Sequence, residues 1–210
     1  MRNCSGRWGS STMRVIQLAR NPKNYTCRSY LILGEWNQLT DVNTLIDPGT
    51  DEYILAEIDR IYTGCGKVPV EQVLLTHNHF DHAASADLFK QKYGAKVYGW
   101  VDGPGVDSLL KEGQLFKAGD DYLEVIHTPG HSSDSVAFYC QSQRLLFSGD
   151  TQLRIRTTGG KYTKDYVQTL LKLAQREIEL IYPGHDEPFE SDVRSTILTT
   201  LQNVRQSEVI

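Results

Sequence analysis

The 210-residue sequence contains no apolar run long enough to span a membrane, which takes about 18 to 20 residues. Its first residues, MRNCSGRWGSST, also lack the apolar stretch of a secretion signal. We therefore expect a cytoplasmic protein with no membrane partner. Residues 1–12 are predicted to form a disordered leader ahead of a single domain that covers residues 13–210.

Cysteine is scarce and widely spaced. The four cysteines are Cys4, Cys27, Cys65 and Cys140, and none of them forms a Cys-x-x-Cys pair with another. This spacing excludes the dense disulfide framework of small secreted domains, and it argues against a zinc site built from cysteines. We predict free thiols, most of them buried.

Charge of one sign is not concentrated anywhere. The formal net charge is -4, and acidic and basic residues are mixed along the whole chain. Because no basic stripe is present, nucleic acid is not the expected partner. The chain also lacks the Gly-x-Ser-x-Gly turn of serine hydrolases and a complete Gly-x-x-x-x-Gly-Lys-Ser/Thr phosphate-binding loop.

Short apolar runs alternate with longer segments of helical spacing. The apolar runs predict strands at 15–18, 29–33, 43–46, 72–76, 96–98, 122–127, 135–140, 145–147 and 179–182. The longer segments predict helices at 51–62, 82–93, 163–176 and 192–206, with Asp51 and Thr163 as N-caps and Gly94 as a C-terminal stop. This order is typical of a layered domain of sheets and helices.

Three of the six histidines fall in one short segment, His77-Asn78-His79-Phe80-Asp81-His82, directly after an apolar strand. Imidazole nitrogen and carboxylate oxygen are good ligands for zinc and similar metals. A strand end that opens into a loop lets His77 and His79 share one metal. Asp81 and His82, further round the turn, are directed toward a second site.

Three more loops that follow predicted strands carry candidate ligands. They are Thr128-Pro129-Gly130-His131, Ser148-Gly149-Asp150-Thr151 and Tyr182-Pro183-Gly184-His185. Each contains a glycine, which lets backbone pass close to a metal or a substrate.

In these motifs, their order and their spacing, the chain resembles the metallo-β-lactamase superfamily over nearly its whole length. The resemblance implies an α/β (α+β) fold, a four-layer αββα sandwich of two mixed β-sheets flanked by helices. It also implies that His77, His79 and His131 hold a first metal, that Asp81, His82 and His185 hold a second, and that Asp150 bridges both.

The implied reaction is hydrolysis by a hydroxide that bridges two Zn²⁺ ions, with iron or manganese as other metals that this ligand set accepts. Asp150 and Asp81 would be the catalytic carboxylates, since Asp150 keeps the metals close and Asp81 orients the hydroxide. No side-chain nucleophile is required.

Within the superfamily, the motifs around His77, His131 and Asp150 are most similar to the glyoxalase II branch, which hydrolyses glutathione thioesters. Only 25 residues follow His185 in this sequence, so the helical domain with which typical members grip glutathione is not expected. We predict a small-molecule substrate that is a thioester or another small acyl ester.

Three alternatives stay open. A persulfide dioxygenase binds one iron on a His-His-Asp set and keeps the same seven residues. A lactonase of the superfamily carries a tyrosine where this chain has Leu153, which disfavours that activity. A metal-binding module without catalysis fits poorly, because structural zinc sites are closed by four protein ligands.

Other charged and polar residues receive simpler interpretations. Four basic residues after Asp150 are interpreted as solvated surface charges rather than contacts to an anionic substrate: Arg154, Arg156, Lys161 and Lys164. His127 is the one histidine outside the motif, and it is expected to pack or to support a ligand rather than to bind a metal itself. Asp47 is a turn residue, and the equivalent family position lies near the metals.

Overall fold

Strands make up most of the regular structure in a computed structural model that describes residues 13–210; the predicted disordered leader lies outside these residues. The first sheet has the order β1-β2-β3-β4-β5-β6, and the second has the order β12-β10-β9-β8-β7. The strands of the first sheet are β1 Arg14–Gln17, β2 Tyr30–Leu33, β3 Thr44–Ile46, β4 Gln72–Leu74, β5 Lys96–Gly99 and β6 Ser108–Leu109. Those of the second are β7 Leu115–Ala118, β8 Asp121–His127, β9 Val136–Cys140, β10 Leu145–Gly149 and β12 Leu180–Pro183.

Both sheets are mixed. In the first, β1, β2 and β3 pair antiparallel, whereas β3, β4, β5 and β6 run parallel to their neighbours. In the second, β7 to β10 form an antiparallel meander, and β12 pairs with β10 in the parallel direction. A short parallel pair joins β11 Lys161–Tyr162 to β13 Glu208–Val209.

The helices cover the outer faces of the two sheets. They are α1 Leu55–Ile58, α2 Phe80–Ala83, α3 Ala86–Tyr93, α4 Lys164–Ala174 and α5 Val193–Arg205. Ile58 and Phe89 pack on the outer face of the first sheet, and Leu170 and Leu201 pack on that of the second. Among the described residues, no helix is both long and apolar enough to cross a membrane.

Alternation along the strands explains the layers. In β10, Leu145 and Phe147 join the cluster between the sheets, while Leu146 joins the cluster under α4 and α5. Successive side chains of a strand point to opposite faces of its sheet. A strand whose residues are all apolar is therefore buried on both faces of that sheet. Burial of each large apolar side chain contributes roughly 2 kcal/mol before entropy is counted. The predicted αββα sandwich is confirmed.

Two helix predictions were wrong in their extent. The helix expected over 51–62 is only Leu55–Ile58, because the Asp51 carboxylate accepts from the Tyr53 amide at 2.9 Å and forms a local turn. The helix expected over 82–93 is two helices, because the Ser85 amide donates to the carbonyl of Gly49 at 3.1 Å. The caps at Thr163 and Gly94 are confirmed.

The sequence patterns missed four short strands, β6, β7, β11 and β13. In β7 only Phe116 and Ala118 are buried, so the segment carries too few apolar residues to stand out from a loop. The two-residue strands have no periodicity to detect.

Candidate metal centre

The loop after β4 carries four of the candidate residues. His77 is buried just past the strand end, and His79 keeps an extended backbone (φ -64°, ψ 147°) as the cap of α2. Asp81 and His82 then lie in α2 and are buried. The chain changes from strand to helix within six residues. Side chains on extended backbone, such as His79, and side chains on helical backbone, such as Asp81, are therefore brought close together.

The other three candidates lie at one edge of the second sheet. β8, β10 and β12 run in the same direction, since β9 pairs antiparallel with both β8 and β10 and β12 pairs parallel with β10. His131, Asp150 and His185 each follow the carboxyl end of one of these strands. The Val136 amide donates to the Thr76 carbonyl at 2.8 Å and joins this edge to the loop after β4.

His77, His79 and His131 form a first triad. Their ring nitrogens lie within 4.8 Å of one another, and His79 Nδ1 is 3.0 Å from His131 Nε2. The rings meet edge to face, with centroids 4.5 to 4.9 Å apart. Nitrogens that face each other so closely need a shared proton or a shared cation between them.

Asp81, His82 and His185 form a second triad. Their donor atoms also lie within 4.8 Å of one another. His185 Nε2 is 3.0 Å from Asp81 Oδ2 and 3.4 Å from His82 Nε2.

Asp150 lies between the two triads. Its Oδ2 is 3.5 Å from His131 Nε2 and 3.4 Å from His185 Nε2, and its Oδ1 is 3.3 Å from His82 Nε2. His77 Nε2 is 4.0 Å from the same carboxylate. The structure thus brings all seven residues of the sequence prediction into one cluster.

The donor set fits divalent metal ions. His77 Nε2 is buried and has no hydrogen-bond partner among residues 13–210, although a buried polar atom without a partner is costly. It faces the carboxylate of Asp150 and the other imidazoles of the first triad. A cation bound by these groups would satisfy that atom, and imidazole with carboxylate is the ligand chemistry that zinc, iron and manganese accept.

Electrostatics keep His77, His131 and Asp150 in the form that binds metal. Burial lowers the pKa of His77 to about 4 and also lowers the pKa of His131, so both imidazoles are neutral at pH 7. Burial alone would raise the pKa of Asp150, but hydrogen bonds and charge from His185 and His82 hold it well below its usual range. A neutral imidazole and an ionised carboxylate are the metal-binding forms.

Asp47 orients the ring of His82 through a hydrogen bond at Nδ1. Its Oδ2 lies 2.8 Å from His82 Nδ1, and its Oδ1 accepts from the Thr76 amide at 2.7 Å. Burial would lower the pKa of His82, yet the carboxylates of Asp47 and Asp150 raise it above its usual value. The Nδ1–H of His82 donates to the Asp47 carboxylate, and this hydrogen bond directs Nε2 toward Asp81 and His185.

Two glycines make the close approach of the loops possible. A Cβ atom at Gly184 would lie 2.2 Å from Asp150 Oδ1. Gly149 has a φ of +50°, and a Cβ there would lie 2.7 Å from the Thr76 side chain.

Sequence reasoning missed the residues that hold His185. The Arg28 amide donates to the Gly184 carbonyl at 2.6 Å, and the Tyr30 hydroxyl donates to the Pro183 carbonyl at 2.6 Å. Tyr25 stacks on the His185 ring with centroids 5.2 Å apart. No local signal marks these contacts, because Tyr25, Arg28 and Tyr30 lie more than 150 positions away from the loop that they hold.

His127 lies outside the cluster. Its ring stacks on Trp100 with centroids 4.1 Å apart, and its Nε2 donates to the Ser133 carbonyl at 2.8 Å. These contacts agree with the packing role expected from the sequence.

A cavity of about 490 Å³ opens beside the cluster. His131, Asp150 and His185 line one part of it, and Arg154 and Phe189 line another. Its size is within the usual range for small-molecule sites, so a small substrate can reach the cluster.

The two-sheet sandwich and the cluster of imidazoles and carboxylates at its edge define a class of αββα metalloproteins. The family model described as the metallo-beta-lactamase superfamily matches residues 25–100 and 99–185. The chain therefore belongs to the metallo-β-lactamase superfamily, as its motifs predicted.

Individual relatives place the chain in the glyoxalase II-like part of that superfamily. It is 30% identical over 172 residues to a probable hydroxyacylglutathione hydrolase of Schizosaccharomyces pombe, covering 77% of this chain and 66% of that protein. It is 32% identical over 166 residues to an atrochrysone carboxyl ACP thioesterase of Aspergillus fumigatus, covering 68% and 52%. The chain thus spans less than two thirds of the length of both relatives.

Solved structures show the same fold. A metallo-beta-lactamase family protein from Thermus thermophilus superposes with a TM-score of 0.65 at 22% identity, covering 92% of this chain and 80% of that one.

Proposed function

We propose that the protein is a metal-dependent hydrolase of small acyl thioesters and that the cluster holds two metal ions. The observation that carries the proposal is the position of Asp150, whose carboxylate lies within 3.3 to 4.0 Å of imidazoles from both triads. A carboxylate in this position is suited to bridge two cations.

In this proposal His77, His79 and His131 hold the first ion, and Asp81, His82 and His185 hold the second. Zn²⁺ is the first candidate, and Fe or Mn are the others. When bound, such a pair of ions would supply a water of lowered pKa and would polarise the acyl oxygen of the substrate.

The residues of the chain position the reacting groups. Asp150 keeps the two halves of the site together, and Asp81 Oδ2 is directed at His185, where it can accept a hydrogen bond from the attacking water. Asp47 fixes the ring of His82. The cavity beside His131 admits the acyl group from one side.

The substrate class rests on the relatives. Both are named for thioester cleavage, one of a hydroxyacylglutathione and the other of an acyl group on a carrier protein. A thioester is also suited to a site without a side-chain nucleophile, because its carbonyl is open to attack by an activated water and its thiolate leaves readily.

The test uses purified protein and the neutral thioester S-butyryl-N-acetylcysteamine. Turnover should be lost after treatment with a chelator and should return when zinc is added. Turnover that is unaffected by complete metal removal would contradict the proposal. Metal-dependent oxygen uptake with a persulfide, in place of thioester hydrolysis, would favour the dioxygenase instead.

A further inference from the structure

A second, smaller cavity adjoins the one beside the cluster. Its volume is about 160 Å³, which is below the usual range for a whole ligand and sufficient for one polar group. Arg154 and Arg156 line it from the loop after Asp150, and Ser195, Thr196 and Thr199 line it from α5. We refer to it as the arginine pocket.

The lining of the arginine pocket is that of an anion site. Its lining residues include two arginines and several serines and threonines, and among the described residues no acidic residue lines it. Neither Arg154 nor Arg156 forms an ion pair with an acidic residue within the described part of the chain. Guanidinium groups bind carboxylate and phosphate through paired, charge-assisted hydrogen bonds.

The arginine pocket shares two lining residues with the cavity of the metal centre. Arg154 and Ile155 line both cavities. The Arg154 guanidinium lies 3.5 Å from the centre of the Phe189 ring, so its position at the junction is fixed by a cation–π contact. Because Asp150 and Arg154 are four residues apart, their Cα atoms lie within about 14 Å of each other.

Hydrogen bonds attach this loop to α5. The Ile155 amide donates to Thr200 Oγ1 at 3.0 Å, and that hydroxyl donates to the Leu153 carbonyl at 2.8 Å. Asn203 Nδ2 donates to the Ile155 carbonyl at 2.8 Å. These hydrogen bonds fix the backbone that carries Arg154 and Arg156. Both residues are nevertheless exposed, as ordinary surface arginines are.

We propose that the arginine pocket binds the anionic end of the substrate, a carboxylate or a phosphate, while the thioester carbonyl lies at the metal centre. The inference rests on the proposed function and makes it more specific. It replaces the interpretation of Arg154 and Arg156 as solvated charges. Lys161 is not part of it, because that ammonium group pairs with Glu208 at 3.0 Å.

The kinetic test compares three butyryl thioesters on the metal-loaded protein. S-butyryl-N-acetylcysteamine is neutral, S-butyrylglutathione carries carboxylates, and S-butyryl-4′-phosphopantetheine carries a phosphate. In the wild type, at least one anionic thioester should have a lower KM than the neutral one. Which of the two is favoured identifies the source of the anion.

The variants are Arg154→Gln, Arg156→Gln and the double variant. We expect the ratio of kcat/KM for the preferred anionic thioester to that for the neutral one to fall about tenfold in each single variant. Arg60→Gln is the matched control, since Arg60 is exposed and lines neither cavity, and its ratio should stay at the wild-type value. Unfolding in urea checks that all variants are folded.

A binding measurement separates this inference from the proposed function. Calorimetry with the uncleavable thioethers S-butylglutathione, S-butyl-4′-phosphopantetheine and S-butyl-N-acetylcysteamine needs no turnover. Tighter binding of an anionic thioether that is lost in Arg154→Gln and weakens with salt supports the arginine pocket, even if no thioester is hydrolysed. Equal affinity for anionic and neutral thioethers, or unchanged affinity in the double variant, would overturn it.

Discussion

The two triads are built from similar side chains but lie in different surroundings. In the first, His79 and His131 are exposed, and the closest contact of each is the ring of the other. In the second, Asp81 and His82 are buried, and His82 is bonded to the equally buried Asp47. The two exposed imidazoles of the first triad therefore have few protein contacts, whereas Asp81 and His82 of the second triad are part of the folded core, as is His77 of the first.

This difference teaches that metal binding and fold stability are coupled unequally across the site. We expect that loss of His79 or His131, which are exposed, would weaken metal binding with little effect on the free energy of unfolding. Loss of a residue from the second leaves a buried charged group without its partner, which costs several kcal/mol.

Asp150→Ala should have the largest effect, because this carboxylate contacts both triads. We expect kcat/KM for a thioester to fall by at least about a hundredfold, more than the loss caused by an outer-layer residue. Zinc content should fall in parallel. Activity within tenfold of the wild type would mean that Asp150 does not bridge metals.

His82→Ala and His79→Ala form a matched pair, since each removes one imidazole. Both should lower metal content and hydrolysis together. In metal-free protein, His82→Ala should also lower the free energy of unfolding by about 3 kcal/mol, because the buried Asp47 carboxylate loses its imidazole partner and keeps only its hydrogen bonds to Thr76. His79→Ala should change it by less than about 0.5 kcal/mol.

Urea unfolding of the metal-free variants measures this difference. Equal destabilisation by the two substitutions would show that the triads are embedded alike. Normal hydrolysis by His79→Ala would remove the first triad from the proposed site.

Asp47→Asn tests the support behind the second triad. Asparagine tolerates the positive φ of 50° at this position, so the backbone is kept while the negative charge facing His82 is lost. We expect metal affinity to fall by about 10- to 100-fold, measured by competition with a chelator. An unchanged affinity would show that Asp47 serves only the turn.

Tyr25→Ala should have the smallest effect. Tyr25 is 66% exposed, and it contacts the site by stacking on the His185 ring. Loss of this contact corresponds to about 0.5 to 1 kcal/mol, or a two- to fivefold weaker affinity for metal. Tyr25→Phe keeps the ring and should match the wild type; a loss as large as in Tyr25→Ala would assign the effect to the hydroxyl.

Most of the fold could be predicted from the sequence, because its buried strands are apolar at nearly every position. The segment 145–147 is an example, since it faces apolar neighbours on both sides. β7 and the break before α3 were not predictable. They depend on partners distant in sequence, such as the Gly49 carbonyl that accepts from the Ser85 amide.

The cluster itself could be predicted because its seven residues follow strand ends in a fixed order. The residues that support it could not. Tyr25 and Arg28 act through the backbone and ring of the His185 loop, about 160 positions away in the chain, and no local pattern marks such contacts. In the sequence, Arg154 and Arg156 cannot be distinguished from ordinary surface arginines, because only the folded structure brings α5 beside them.

The most direct test of the central claim is elemental analysis of protein purified without added metal, with thioester turnover measured on the same sample. The account predicts about two zinc ions per chain, together with hydrolysis that is lost when they are removed. A single iron per chain, with oxygen uptake in the presence of a persulfide and no thioester hydrolysis, would contradict it.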